Sequence, residues 1–107
     1  MNLNDLQLLK SLAYVDGAWC GADGGATFPV TDPASGALVA AVPDMGAAET
    51  RRAIEAADRA WPAWRNKTAK ERAAVLRKWY ELMLANAADI ARMMTIEQGK
   101  PYAEAMG

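Results

Sequence analysis

Thr95-Ile96-Glu97-Gln98-Gly99-Lys100-Pro101-Tyr102-Ala103-Glu104-Ala105 is the stretch on which the reading of this chain turns. A helix arrives at Gln98. Gly99 supplies the conformation that ends it, Lys100 stands beside its exposed C-terminal carbonyls, and Pro101 forbids continuation. A second helix restarts at Tyr102, and the sequence reaches Gly107 soon afterwards. Helix-stop chemistry accounts for Gly99, Lys100 and Pro101 together; a binding role for Lys100 is the alternative. The pattern reads as the front section of a larger protein, because the helical array is still being built where the sequence stops.

Reading backwards from that stop, Ile90, Met93, Met94 and Glu97 lie on the arriving helix, and Asn86-Ala87-Ala88-Asp89 reads as its N-terminal cap. Thr68-Ala69-Lys70-Glu71 is a capping box, with Thr at the cap and Glu three residues on. It opens a helix whose expected core stripe is Ala73, Leu76, Tyr80 and Met83, widened by Val75, Trp79 and Leu82. Another helix begins after Gly46, with Glu49 in its first turn facing the dipole. Its apolar stripe is Thr50, Ile54, Ala57 and Trp61, and Pro62 predicts an end or kink at Trp61.

The first half is different. Ala13-Tyr14-Val15 and Ala18-Trp19-Cys20 flank Asp16-Gly17, a dipeptide suited to a tight type I′ hairpin. Thr27-Phe28-Pro29-Val30 and Leu38-Val39-Ala40-Ala41-Val42 read as strands joined through the turn Asp32-Pro33-Ala34-Ser35-Gly36. Leucines at 3, 6, 8, 9 and 12 fit a short N-terminal amphipathic helix, or an arm that orders only on a surface. The expected organisation is a helix over 1–12, an antiparallel β region over 13–45 and helices over 46–107.

Composition narrows the function. Of the 107 residues, 24 are alanine, which buries little area, so the four tryptophans, six methionines and the leucines are expected to carry the core. One cysteine excludes an internal disulfide and suits a reducing compartment. The start has no basic, apolar leader, and no apolar run approaches the ~20 residues of a spanning helix. The chain is therefore read as soluble and cytoplasmic, with no membrane partner. Residues 1–48 carry one base and five acids, residues 49–107 eleven bases and eight acids. The basic run Arg65, Lys67, Lys70, Arg72, Arg77, Lys78 could meet an anionic partner, but it lacks interleaved aromatics and reads as a solvated helix face. No nucleic-acid partner is expected.

No catalytic constellation assembles. Cys20 has no histidine anywhere in the chain to activate it and stands at the end of a hairpin strand. One cysteine without histidine builds no zinc site. Gly21-Ala22-Asp23-Gly24-Gly25 precedes a strand, where a phosphate loop would precede a helix. Glu49, Glu55, Asp58, Glu71 and Glu81 are spaced as solvated faces. The expectation is no catalytic, no cofactor-binding and no metal-binding residue within this chain.

Several motifs taken in order resemble the opening of aldehyde dehydrogenases. They are Tyr14-Val15-Asp16-Gly17-Ala18-Trp19, the run from Phe28 to Gly36, the run from Ala56 to Arg65, and Glu97-Gln98-Gly99-Lys100-Pro101. Pro43-Asp44-Met45-Gly46-Ala47-Ala48-Glu49-Thr50-Arg51 and Lys67-Thr68-Ala69-Lys70-Glu71-Arg72 are similar to bacterial succinate-semialdehyde dehydrogenases. The resemblance implies an α/β fold, of which this is the incomplete N-terminal part: a small antiparallel β region followed by helices of a Rossmann-like cofactor domain. It implies NAD or NADP as cofactor, a small aldehyde substrate and a homo-oligomer. In such enzymes a cysteine thiolate attacks the aldehyde, hydride passes to the nicotinamide, and a glutamate-activated water hydrolyses the thioester. The residues that do this lie beyond position 107 in the family pattern, and Cys20 does not match the catalytic cysteine's motif. The family also sometimes binds a monovalent cation near segments matching Val30-Thr31 and Glu97. The alternatives to an inactive piece of such an enzyme are a short interaction module that docks on a full-length relative and an unrelated alanine-rich helical adaptor.

Overall fold

A computed structural model describes residues 2–107. The Asp16-Gly17 turn forms as its residue types require. Asp16 (φ 52°) and Gly17 (φ 77°) both occupy the left-handed region, closing β1 (Ala13–Val15) on β2 (Ala18–Cys20). Tyr14 stands opposite Trp19 with ring centroids 5.1 Å apart. A second ribbon pairs β3 (Thr27–Thr31) with β4 (Leu38–Pro43), again antiparallel, with a register irregularity between Val30 and Thr31. Every strand of a two-stranded ribbon has a free edge, so Pro29 is tolerated within β3. Asp32 Oδ1 accepts from the Ala34 N–H at 2.8 Å, and the Gly36 N–H donates to the Asp32 carbonyl, also at 2.8 Å. The β region over 13–45 is thus two separate ribbons.

Four helices follow: α1 (Ala47–Arg65), α2 (Ala69–Ala85), α3 (Ala87–Gln98) and α4 (Tyr102–Met106). Glu49 Oε2 accepts from the Gly46 N–H at 2.9 Å, and the Thr50 hydroxyl donates to the Gly46 carbonyl. The capping box at Thr68 is reciprocal. Its hydroxyl oxygen accepts from the Glu71 N–H at 3.2 Å, while Glu71 Oε2 accepts from the Thr68 N–H at 2.7 Å. Arg72 closes the α1–α2 turn by donating to the carbonyls of Arg65 and Lys67. Gly99, at φ 82°, caps α3 and donates its N–H to the Thr95 carbonyl at 2.9 Å.

Four expectations are met only in part or not at all. Of the N-terminal helix expected over 1–12, residues 2–12 form only a single 3-10 turn, Leu6–Leu8, whose N-cap Asp5 accepts from the Gln7 N–H; Met1 lies outside the described residues. Of the end or kink expected at Trp61, the end does not occur: α1 runs on through Pro62 to Arg65. Proline withholds one N–H, but the turn beyond it survives because the Pro62 carbonyl still accepts from the Asn66 N–H at 3.2 Å. One helix stops and the next begins at Asn86, as its residue type suggests, but its side chain makes no cap bond to α3: its Nδ2 donates backwards to the Leu82 carbonyl at 2.9 Å, so it closes α2. Finally, the expected core stripes are not buried. Leu76 is 52% exposed, Trp79 62% and Ile54 64%, and helix α2 has no buried residue.

Only Ala56, Asp89 and Ala91 fall into the buried class among the described residues. The surface totals 7937 Å² where a compact chain of 11.5 kDa presents about 5,800 Å². The Cα radius of gyration is 16.7 Å against roughly 13 Å for a compact domain of this length. The aromatic and leucine side chains read as core material form uncovered faces, because the helices are laid out across a slab rather than around a centre.

One junction is tightly built. A Cβ added to Gly99 would stand 3.1 Å from Pro33 Cγ, so the turn after β3 rests directly on the C-terminal cap of α3. Gly99→Ala therefore meets both a left-handed backbone and a crowded neighbour. It should lower stability by about 1–2 kcal/mol from the backbone alone, read as a lower urea midpoint at unchanged slope. Adding Pro33→Ala should recover only the part due to crowding.

Candidate functional site

The polar groups that the sequence offers as candidates do not converge. Cys20 ends β2 opposite Ala13, half-buried and free. The glycine loop closes on itself, with the Gly25 N–H donating to the Ala22 carbonyl at 2.9 Å, and leads into a strand. In the basic run, Arg72 is used in the α1–α2 turn, and Arg77 pairs with Glu81 at 3.2 Å while lying over the Tyr80 ring. Lys100 is half-buried between the Gly99 cap and Pro101, consistent with a helix stop. Val30 and Thr31 flank the irregularity of their ribbon, and Glu97 is exposed in the last turn of α3. No group of three His, Cys, Asp or Glu side chains among the described residues could hold a metal ion.

Among the described residues, the one place where several polar groups meet around a buried charge is Asp89, 3% exposed in the first turn of α3. Its two oxygens accept from the N-terminal arm: Oδ1 from the Asn4 N–H at 2.8 Å, Oδ2 from the Asp5 N–H at 2.9 Å. Arg92, one turn on, donates to Oδ1 at 3.1 Å, and its guanidinium lies 6.0 Å from the centre of the Tyr102 ring. A carboxylate out of water requires such partners. The sequence carries the sign of this site only as an acid in a first turn, which reads as a cap. Its partners lie 84 and 85 residues away, and nothing local points to them.

Three carboxylates are held below their ordinary range, each chiefly by a backbone amide: Asp32 by Ala34, Glu71 by Thr68 and Asp89 by Asn4. Desolvation opposes the shift in all three, and Arg92 adds to it at Asp89. A general acid working near neutral pH needs the opposite shift. These groups fasten backbone.

A nicotinamide cofactor finds no cradle here. Its phosphates need free amides at a helix N-terminus after a strand and a glycine turn. At the starts of α1 and α2 the amides of Gly46, Thr68 and Glu71 are taken by Glu49, Glu71 and Thr68, and an acid stands in the first turn of each of α1, α2 and α3: Glu49, Glu71 and Asp89. Both ribbons are antiparallel hairpins, without the strand–turn–helix crossover that such a site uses. The residues present do not fit the cofactor.

Comparison with known proteins gives a consistent picture. Residues 19–107 match the aldehyde dehydrogenase family. The chain is 63% identical, over its whole length, to the glutarate-semialdehyde dehydrogenase of Pseudomonas aeruginosa, covering 22% of that protein. It is 54% identical over its whole length to the NADP(+) succinate-semialdehyde dehydrogenase of Escherichia coli, again covering 22%. Its backbone superposes on the crystal structure of succinate-semialdehyde dehydrogenase from Burkholderia pseudomallei with a TM-score of 0.97 at 57% identity, over all of this chain and 22% of that one. The chain thus spans about a fifth of the length of the relatives it matches.

The Asp89 site makes a signed prediction. A carboxylate whose folded-state pKa is depressed contributes above its unfolded value, about 3.9, and that contribution is lost as pH falls through the lower folded value. The amide-proton shifts of Asn4 and Asp5 should therefore stay constant from neutral pH down to about 4 and move only below it. A midpoint at or above 3.9 would show that the clamp does not hold the charge.

Proposed function

This chain belongs to the aldehyde dehydrogenase family, and on that premise we propose that it forms the N-terminal section of an NAD(P)-dependent enzyme oxidising succinate semialdehyde to succinate. The observation that carries the reading is the unbroken match of the whole chain to semialdehyde dehydrogenases at 54–63% identity. The section supplies scaffold. Its caps, turns and arm position two ribbons and four helices, while thiol, base and cofactor cradle belong to the other parts of the enzyme. Alone, the 107-residue piece is inactive, because it lacks every group the reaction needs.

The uncovered faces of α1 and α2 support the same reading. Val75, Leu76, Trp79 and Leu82 are all more than half exposed, an unfavourable arrangement in water unless another surface covers them. Two readings of the substrate differ by one methylene. Glutarate semialdehyde is favoured by the 63% relative, succinate semialdehyde by the 54% relative and the 57% structural neighbour. We place the enzyme in the cytoplasm as a homo-oligomer without membrane or nucleic-acid partners. No described helix is long and apolar enough to cross a membrane.

The test is to capture the native product with an antibody against residues 45–80 and measure its intact mass and activity. A species several times heavier than 11.5 kDa that reduces NAD or NADP with either semialdehyde is expected. The ratio of kcat/KM for the two substrates then settles chain length. A product of 11.5 kDa without activity would instead favour a short module that docks on a full-length relative.

A further inference from the structure

The N-terminal arm touches both ribbons, α2 and α3 while having almost no structure of its own. Its internal bonds are those of one 3-10 turn: Leu8 N–H to the Asp5 carbonyl at 3.2 Å, Leu9 N–H to the Leu6 carbonyl at 3.3 Å, and the Asp5 cap. Leu8 lines an open groove with Trp79, Leu82 and Ile90 of α2 and α3. Leu6 and Leu9 line another with Leu38, Val39 and Ile96. Lys10 Nζ lies 5.6 Å from the centre of the Trp19 ring on the first hairpin.

These contacts are shallow. Leu6 is 69% and Leu12 47% exposed, while Leu8 and Leu9 are half-buried. The deep attachment is the pair of amides on the buried Asp89 carboxylate. Segments with little buried apolar area and few internal bonds open at low free energy, independently of the rest of a fold. The arm also lies outside residues 19–107, the part that matches the family pattern.

We propose that residues 4–12 are a strap, latched by Asp89 through the Asn4 and Asp5 amides, that opens and recloses over the ribbons and α3 as a unit while the helices stay folded. Closed, it keeps Leu8 against the α2–α3 groove and ties both ribbons to the helices. Open, it uncovers the Leu38–Ile96 groove and releases Lys10 from Trp19. The assignment rests on this chain's own contacts and stands whichever semialdehyde the enzyme takes.

The test is amide hydrogen exchange, read residue by residue, in the full protein carrying Asp89→Asn. An asparagine keeps one acceptor and turns an N–H₂ toward an arm amide, so one bond is lost and two donors face each other. Exchange at Asn4, Asp5 and Leu9 should accelerate roughly tenfold or more, as expected for losing a hydrogen bond to a charged group. Exchange in α2 and α3 from Leu82 to Met94 should be unchanged. Acceleration throughout α2 and α3 would overturn the proposal, because the arm would then be part of one cooperative unit. No acceleration in the arm would overturn it too, because Asp89 would not be the latch. Should Asp89→Asn fail to fold, Asn4→Pro removes one donor without touching α3. It should speed exchange from Asp5 to Leu9 only, with the same two overturning outcomes.

Discussion

A buried carboxylate cannot be left alone. Asp89 is out of water at the start of α3, and the chain answers by bringing its own beginning, some 85 residues away, to supply two backbone amides. Arg92 supplies the third donor from the same helix. That requirement places the arm, and the arm in turn lies along both ribbons and the α2–α3 groove. Local chemistry makes each hairpin and each helix. This one charge fastens the arm, while other joints, such as Pro33 on Gly99 and Arg52 with Asp23, tie the ribbon segments to the helices without it.

The division between what was legible in the sequence and what was not follows the range of the interactions. Asp16-Gly17, Thr68–Glu71 and Gly99–Pro101 act within a few residues, and each forms as its residue types require. The β region and the helices come out in their expected order. What failed was every inference that needed a partner. The stripes on α1 and α2 have the right period for a core, yet periodicity says only that a face is apolar, and these faces are uncovered. Leucine spacing over 3–12 suggested a helix, where the backbone amides of Asn4 and Asp5 are drawn off to Asp89 and only one tight turn remains. Asn86 and Asp89 were both legible as capping residues. Which group each would satisfy was not, because Asn86 reaches back into α2 and Asp89 reaches across the molecule.

Carboxylates that would interest an enzymologist are spent on amides, which lowers their pKa and removes them from proton transfer at neutral pH. The helix N-termini that would interest a phosphate carry acids in their first turns, Glu49, Glu71 and Asp89. Family membership was legible because it rests on motifs in order along the chain. Two of them, Asp32-Pro33-Ala34-Ser35-Gly36 and Glu97-Gln98-Gly99-Lys100-Pro101, meet in space where Pro33 rests on Gly99.

Asn86 is the whole of the connection between α2 and α3, serving as the last cap of one and the first of the other. Length variation is therefore unequal in its consequences along this chain. Residues added to the glycine-rich loop between β2 and β3 lengthen a surface turn and leave both ribbons paired. A residue added at Asn86 and absorbed into helix would carry α3 around its axis by about 100°, taking Asp89 away from the arm and Gly99 away from Pro33 in one step. The junction sets a phase as well as a direction, and insertions there are excluded by geometry rather than by the chemistry of any side chain.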